Sequence, residues 1–215
     1  MANHLDLEEQ EQLDQLKHFW KQYGNAISWL LIIVFGAFAA WNGYQWWSKR
    51  QAEQASAMYE EVDRVIAAGD VAAADRAYGD MRQRFPSTVY TQQAGLTLAK
   101  VAYLSGKPEV AQAALTTVAE SSADPGLAAL ARIRQAGLLI EAKSFDAAAK
   151  SLETKFPLEF MGLVADKKAD LLMAQGKAEE AVALYKDAIK QLSERDQYRR
   201  LVEVKLAALG VSESK

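Results

Sequence analysis

The chain of 215 residues contains no cysteine, and its two histidines, His4 and His18, both stand close to the amino terminus. Without cysteine there are no disulfides, no thiolate metal sites and no thiol catalysis. Beyond His18 the chain also lacks imidazole, so an enzyme built there would have to use carboxylates, Lys, Ser or Tyr alone. No P-loop, GxGxxG, HExxH or nucleophile elbow occurs. The adjacent acids Glu60-Glu61 and Glu179-Glu180 point apart on a helix and read as solvated faces. No catalytic residue, cofactor or metal is therefore expected. Net charge is missing too: residues 48–215 hold 23 basic and 23 acidic side chains, with no basic block. Nucleic-acid binding is disfavoured, because neutralising phosphates needs a clustered positive surface.

One stretch lacks charge altogether. Between Lys21 and Lys49 no ionisable acid or base appears, and Ala26 to Trp47 reads AISWLLIIVFGAFAAWNGYQWW. As a helix its roughly 22 residues span about 33 Å, close to the roughly 30 Å hydrocarbon core of a bilayer. All five tryptophans, Trp20, Trp29, Trp41, Trp46 and Trp47, fall in or beside it, joined by Tyr23 and Tyr44. Aromatic belts at both ends suit a membrane span better than a buried core helix. Ala37-Phe38-Ala39 has the form of a cleavage site, but the preceding region is long and acidic where a signal peptide is short and basic. The expectation is an uncleaved signal anchor. Gly36, Ala40 and Gly43, at i, i+4 and i+7, form a small-residue face that another helix could approach. Asn42, near the end of the span, is placed to reach the headgroups. Before the span, Leu5, Leu13, Leu16 and Trp20 recur at helical spacing on a short amphipathic tail, either a partner-binding peptide or a frayed terminus.

After the span a period emerges. The turns Gly69-Asp70, Gly106-Lys107, Lys143-Ser144 and Gly176-Lys177 lie 37, 37 and 33 residues apart. Five residues after each turn begins stands Ala74, Ala111, Ala148 or Ala181; nine after stands Tyr78, Leu115, Leu152 or Tyr185. Three before stands a bulky Ile66, Tyr103, Ile140 or Met173, and seven before stands Val62, Ala99, Ala136 or Ala169. Small residues at crossings with bulky ones beside them, repeated in register, predict stacked helix pairs. Arg84-Phe85-Pro86, Pro125 and Lys155-Phe156-Pro157 separate the units. A last helix from about Asp196 to Leu209 is expected to cap the stack, followed by a polar tail. The repeats resemble tetratricopeptide repeats, most closely over Gly176 to Ala188 (GKAEEAVALYKDA). The fold class is all-α: one N-terminal transmembrane helix, then a tetratricopeptide-like α-solenoid of about four helix pairs plus a capping helix. The segments are 1–25 tail, 26–47 anchor, 48–210 repeat domain and 211–215 tail.

In such a stack the first helix of each pair lines the concave face. Candidate groove residues are Tyr59 from the first pair, Gln93, Leu96, Lys100 and Tyr103 from the second, Ile133 from the third and Asp170 from the fourth. Arg132 and Arg134 with Arg199 and Arg200 could hold an acidic peptide or simply pair on the surface. Peptide and partner-protein binding is the natural use of the groove.

The tail motif Gln12 to Gly24 (QLDQLKHFWKQYG) directly before a single anchor, Leu130 to Ala136 (LARIRQA), Gly176 to Ala188, and Val204 to Leu209 (VKLAAL) together resemble the YfgM-like family. These are ancillary subunits of the bacterial Sec (SecYEG) translocon. Ala169 departs from the pattern, which has Gly-Asp there. The resemblance implies an inner-membrane protein with a cytoplasmic amino terminus and a periplasmic repeat domain. It implies as partners the translocon channel subunits and a membrane-anchored periplasmic chaperone of the peptidyl-prolyl isomerase type, and leaves contact with secreted client chains open. Charge alone does not orient the span: Lys17 and Lys21 precede it, Lys49 and Arg50 follow it. The expected function is a membrane-anchored scaffold that assists secreted proteins. The alternatives are a general periplasmic holdase or envelope-assembly adaptor, and a membrane-bound carboxylate hydrolase.

Overall fold

Four left-handed residues set the helical register. Gly69, Gly106, Lys143 and Gly176 have φ of 77°, 71°, 56° and 79°, and each is the first residue of one of the turns that mark the sequence period. After three of them the next amide reaches back five residues: Lys107 N to Ala102 O at 2.8 Å, Ser144 N to Leu139 O at 2.8 Å and Lys177 N to Leu172 O at 2.9 Å. This bond satisfies a helix-end carbonyl and sends the chain back antiparallel. Lys143 does so with a Cβ, a conformation that glycine adopts without steric cost. A further left-handed glycine, Gly210, follows the last helix.

The computed structural model describes residues 7–193 and 197–211. Among them are nine α-helices and no strand: α1 Leu7–Ala67, α2 Val71–Arg84, α3 Val89–Leu104, α4 Pro108–Ser121, α5 Pro125–Glu141, α6 Phe145–Leu152, α7 Met161–Ala174, α8 Ala178–Gln191 and α9 Gln197–Ala208. One 3-10 turn, Leu158–Phe160, precedes α7. Leu5 of the tail stripe, Asp196 at the start of the expected cap helix and the tail beyond Val211 lie outside the described residues. The chain divides into two units, the first ending at Arg50 and the second beginning at Gln51.

In the first unit, the large apolar side chains from Trp29 to Trp47 are 47–67 % exposed all around the helix. A soluble core helix would bury one face, so this stretch has no apolar partner within its own chain. It is the one helix among the described residues long and apolar enough to cross a membrane. Its single polar side chain between Trp41 and Gly43 is satisfied locally: Asn42 Nδ2 donates to Phe38 O at 2.8 Å, as a low-dielectric medium requires. Near the ends, Trp20 packs 3.1 Å from the position a Cβ would take on Gly24, and the Arg50 guanidinium lies 5.3 Å from the Trp46 ring centre.

In the second unit α1 supplies its last turns as the first helix of four pairs, and α9 follows as the cap. The residues five after each turn, Ala74, Ala111, Ala148 and Ala181, are fully buried. Those nine after, Tyr78, Leu115, Leu152 and Tyr185, are 1–4 % exposed beside them. Three cores run in sequence. Val62, Met81 and Leu98 belong to the first, Leu152 and Val164 to the second, Ile189 and Leu206 to the third. Burying each such side chain contributes roughly 1.5–3 kcal/mol. Two expectations need correction. The bulky residues three before each turn do not all fill helix crossings: Tyr103 is 42 % exposed. The third pair's second helix does not reach Lys155 but stops at Leu152. Phe156, held extended by Pro157, leaves the helix line and enters the core.

Candidate functional site

The first helices of pairs two to four, α3, α5 and α7, together with α9 and one residue of α4, enclose a groove of about 540 Å³. Its floor is apolar, made by Leu115, Leu130, Ile133, Leu138 and Leu163. Its polar groups are few: Lys100 and Tyr103 from α3, Arg134 and Glu141 from α5, Lys167 from α7 and Tyr198 from α9. The Tyr103 hydroxyl donates to both oxygens of Glu141, at 3.0 and 2.9 Å. That bond and the carboxylate charge hold its phenol above the ordinary value. Lys167 Nζ is held by Asp170 at 2.7 Å. Among the described residues no ion pair or hydrogen bond is made by the side chains of Lys100 or Arg134. Partial burial pushes the Arg134 guanidinium below its ordinary value.

About one turn beyond Arg134, α5 carries Gly137 on the groove lining. A Cβ there would meet nothing within 4 Å, so no close helix crossing requires the glycine. In mid-helix it costs roughly 1 kcal/mol relative to alanine. What its missing side chain leaves is room on the groove wall.

The wall at α9 is fixed by a charged cluster. Asp166, fully buried, accepts from Lys205 Nζ at 2.8 Å and from the Tyr198 hydroxyl at 2.6 Å. Asp170 accepts from the same Lys205 at 2.7 Å and from the Tyr185 hydroxyl at 2.8 Å. The Lys205 ammonium also stands 5.6 Å from the Tyr185 ring centre. Burial pushes the Asp170 carboxyl up, but Lys167 and Lys205 outweigh it and hold it below the usual carboxylate range. Burial first, and then the neighbouring carboxylates, push the Tyr185 and Tyr198 phenols up. With every member hydrogen-bonded, the cluster pins α9 across α7 and α8.

Of the seven candidate groove residues, the structure brings Lys100, Tyr103 and Ile133 to the groove. Asp170 belongs to the cluster behind it. Tyr59 stacks on Tyr90 with ring centres 6.2 Å apart. Gln93 is exposed elsewhere on α3, and Leu96, 7 % exposed, packs into the first core. Of the four arginines, Arg132 Nη2 donates to Ala119 O at 2.8 Å and Arg199 Nη1 to Ile189 O at 3.0 Å, each at a helix end; Arg134 faces the groove. Gly36 and Gly43 on the span have open space where a Cβ would sit, and Gly36, Ala40 and Gly43 are exposed. Reading the sequence missed Gly137, Tyr198 and the Asp166–Lys205 pair. A register signal existed for the first: Gly137 stands six residues before its turn, where the other units carry Asp63, Lys100 and Asp170.

Fold and groove define a helical-repeat protein with an open peptide-sized surface and one candidate membrane span. Among the described residues no group of His, Asp or Glu is placed to hold a metal ion. The chain belongs to the tetratricopeptide repeat-like domain family, whose model matches residues 17–211. It is similar over nearly its full length to curated proteins named ancillary SecYEG translocon subunit. The Neisseria gonorrhoeae protein is 29 % identical over 210 residues, covering 97 % of this chain and 100 % of the relative. The Escherichia coli protein is 25 % identical over 188 residues, covering 85 % and 87 %. The Haemophilus influenzae protein is 25 % identical over 191 residues, covering 89 % and 93 %. No solved structure gives a significant match.

Proposed function

We propose that this chain is a membrane-anchored scaffold that associates with the Sec translocon and offers its groove to partner proteins. The observation that carries the reading is the near full-length similarity to translocon subunits, which takes in the candidate span as well as the repeats. Residues 1–25 are the cytoplasmic tail, 26–47 the inner-membrane span, 48–210 the periplasmic repeat domain and 211–215 a polar end. Channel subunits dock against the face of Gly36, Ala40 and Gly43. A membrane-anchored peptidyl-prolyl isomerase-type chaperone or an emerging client occupies the groove. The mechanism is proximity: tethering raises the local concentration of the groove at the exit site, so weak contacts suffice.

The test is in-cell photo-crosslinking from Tyr103 in the groove and Ala40 in the span, with mass spectrometry of the adducts. Channel subunits from Ala40 and a chaperone or secreted chain from Tyr103 support the proposal. A scatter of unrelated envelope proteins with no channel subunit would replace it with a general envelope adaptor.

A further inference from the structure

Three features of the groove are open to a ligand. Lys100 and Arg134 are cations without a partner among the described residues, at the edge of an apolar floor. Both are exposed to solvent on the groove lining. Gly137, one helical turn beyond Arg134, weakens α5 while leaving open space. Helix stability alone would favour alanine at Gly137. Lys100, Arg134 and Gly137 line the same cavity.

We infer that the groove binds a peptide segment combining acidic and bulky apolar side chains, with an apolar side chain seated over Gly137 and carboxylates paired to Lys100 and Arg134. The occupant is acidic because the cations outnumber the acids. The lining carries Lys100, Arg134 and Lys167 against Glu141, and with Lys167 paired to Asp170 the remaining balance is still positive. Arginine pairs a carboxylate bidentately, which adds geometric specificity to the apolar contact. A chain is favoured over a single lipid anion because two cations, not one, line the groove and the apolar floor runs across three helices to Leu163 on α7. An extended peptide presents alternate side chains along such a surface.

This inference rests on the reading that the groove is a protein-binding site, and it sharpens that reading to one class of sequence. The test uses the full chain in phosphatidylcholine nanodiscs and fluorescence anisotropy of three labelled synthetic peptides, alternating Leu with Glu, Gln or Lys. The Glu peptide is expected to bind about tenfold or more tightly than the Lys peptide, with affinity falling as salt rises. Gly137→Leu, which fills open space in a helix, should abolish binding without lowering the melting temperature. Lys100→Glu with Arg134→Glu should reverse the preference toward the Lys peptide, a gain that misfolding cannot produce. Equal binding of all three peptides, indifference to Gly137→Leu, or displacement of the peptide by oleate at lower concentration than by unlabelled peptide would overturn the inference. Co-purification with SecY is measured on the same variants. Loss of peptide preference with SecY retained defeats only the groove assignment. Peptide preference with no SecY defeats only the translocon reading.

Discussion

At the α2–α4 end of the repeat domain, Met81, Leu98 and Val118 are fully buried beside alanines, and α3 crosses its neighbours at Gly95. A Cβ on Gly95 would lie 2.6 Å from the Tyr78 hydroxyl and 2.7 Å from Val118 Cγ2. At the α7–α9 end a comparable crossing occurs at Gly162, where a Cβ would lie 2.8 Å from Leu192 Cγ. There, however, the stack closes on Asp166, Asp170, Lys205 and two tyrosines rather than on apolar side chains alone. The first end is set by volume, the second by volume and charge. A terminal helix has only one neighbour layer to bury against, so apolar area is scarce and a buried ion pair fixes position where packing alone would let α9 slide. The groove depends on that position, since α9 supplies Tyr198.

The largest expected effect breaks the charged end. Asp166→Ala opens a void and removes one of the two carboxylates that hold Lys205 together with an acceptor of the Tyr198 hydroxyl, and removing one partner of a buried pair is costly. We expect a loss of about 3 kcal/mol, read by urea unfolding of the full chain in mild detergent. Asp166→Asn, which keeps the volume and one of the two acceptor oxygens, should cost less. If Asp166→Ala melts like the wild type, the two ends are held alike. Next comes the volume-set end: Gly95→Val should cost roughly 2 kcal/mol through overpacking against Val118 and Tyr78. It should leave amide exchange in α9 slower than in α2–α4, the reverse of the Asp166 variant.

The pH dependence separates the ends without mutation. Asp170 has a folded-state pKa depressed below its ordinary 3.8, so its stabilisation is present above about pH 4 and is lost as pH falls. Lys167, Lys205, Tyr185, Tyr198 and Asp166 are the groups that face it. Amide exchange in α9 should therefore accelerate before that in α2–α4 below pH 4. In alkali both ends should loosen. Burial pushes Tyr78 up to about 12, against partial relief from Arg82, and Tyr185 and Tyr198 are also raised. A raised pKa stabilises fully below the unfolded value near 10 and fails as pH climbs through the folded one. Acid loosening that spreads evenly over both ends would remove charge as the distinction.

Much of this stack was legible in the sequence because its determinants are local. A left-handed turn every 33 to 37 residues, and an alanine five residues on, follow from backbone geometry and need no knowledge of the partner helix. The span is likewise a matter of length and missing charge. The Asp166–Lys205 pair joins residues 39 apart, and nothing in either neighbourhood says that α9 returns to α7 rather than running on. Tyr103 shows the other limit. Its register position groups it with the bulky packing residues while its place on α3 makes it a groove candidate, and only the concavity of several helices, which turns it outward to Glu141, decides between the two. Leu96 was misplaced for the same reason.

The smallest effect tests how specific the volume argument is. Gly79 lies mid-way along α2, at the same end as Gly95, but a Cβ there would meet nothing within 4 Å. It also lines no part of the groove. Gly79→Ala should therefore stabilise by something under about 1 kcal/mol, through lower backbone entropy in the unfolded chain. The same substitution at Gly95 should destabilise. Thermal melts of the two single variants give opposite signs if close approach to Val118 and Tyr78 governs this end. Two shifts of the same sign would mean that helix propensity outweighs packing there, and the contrast with the charged cap would then rest on charge alone.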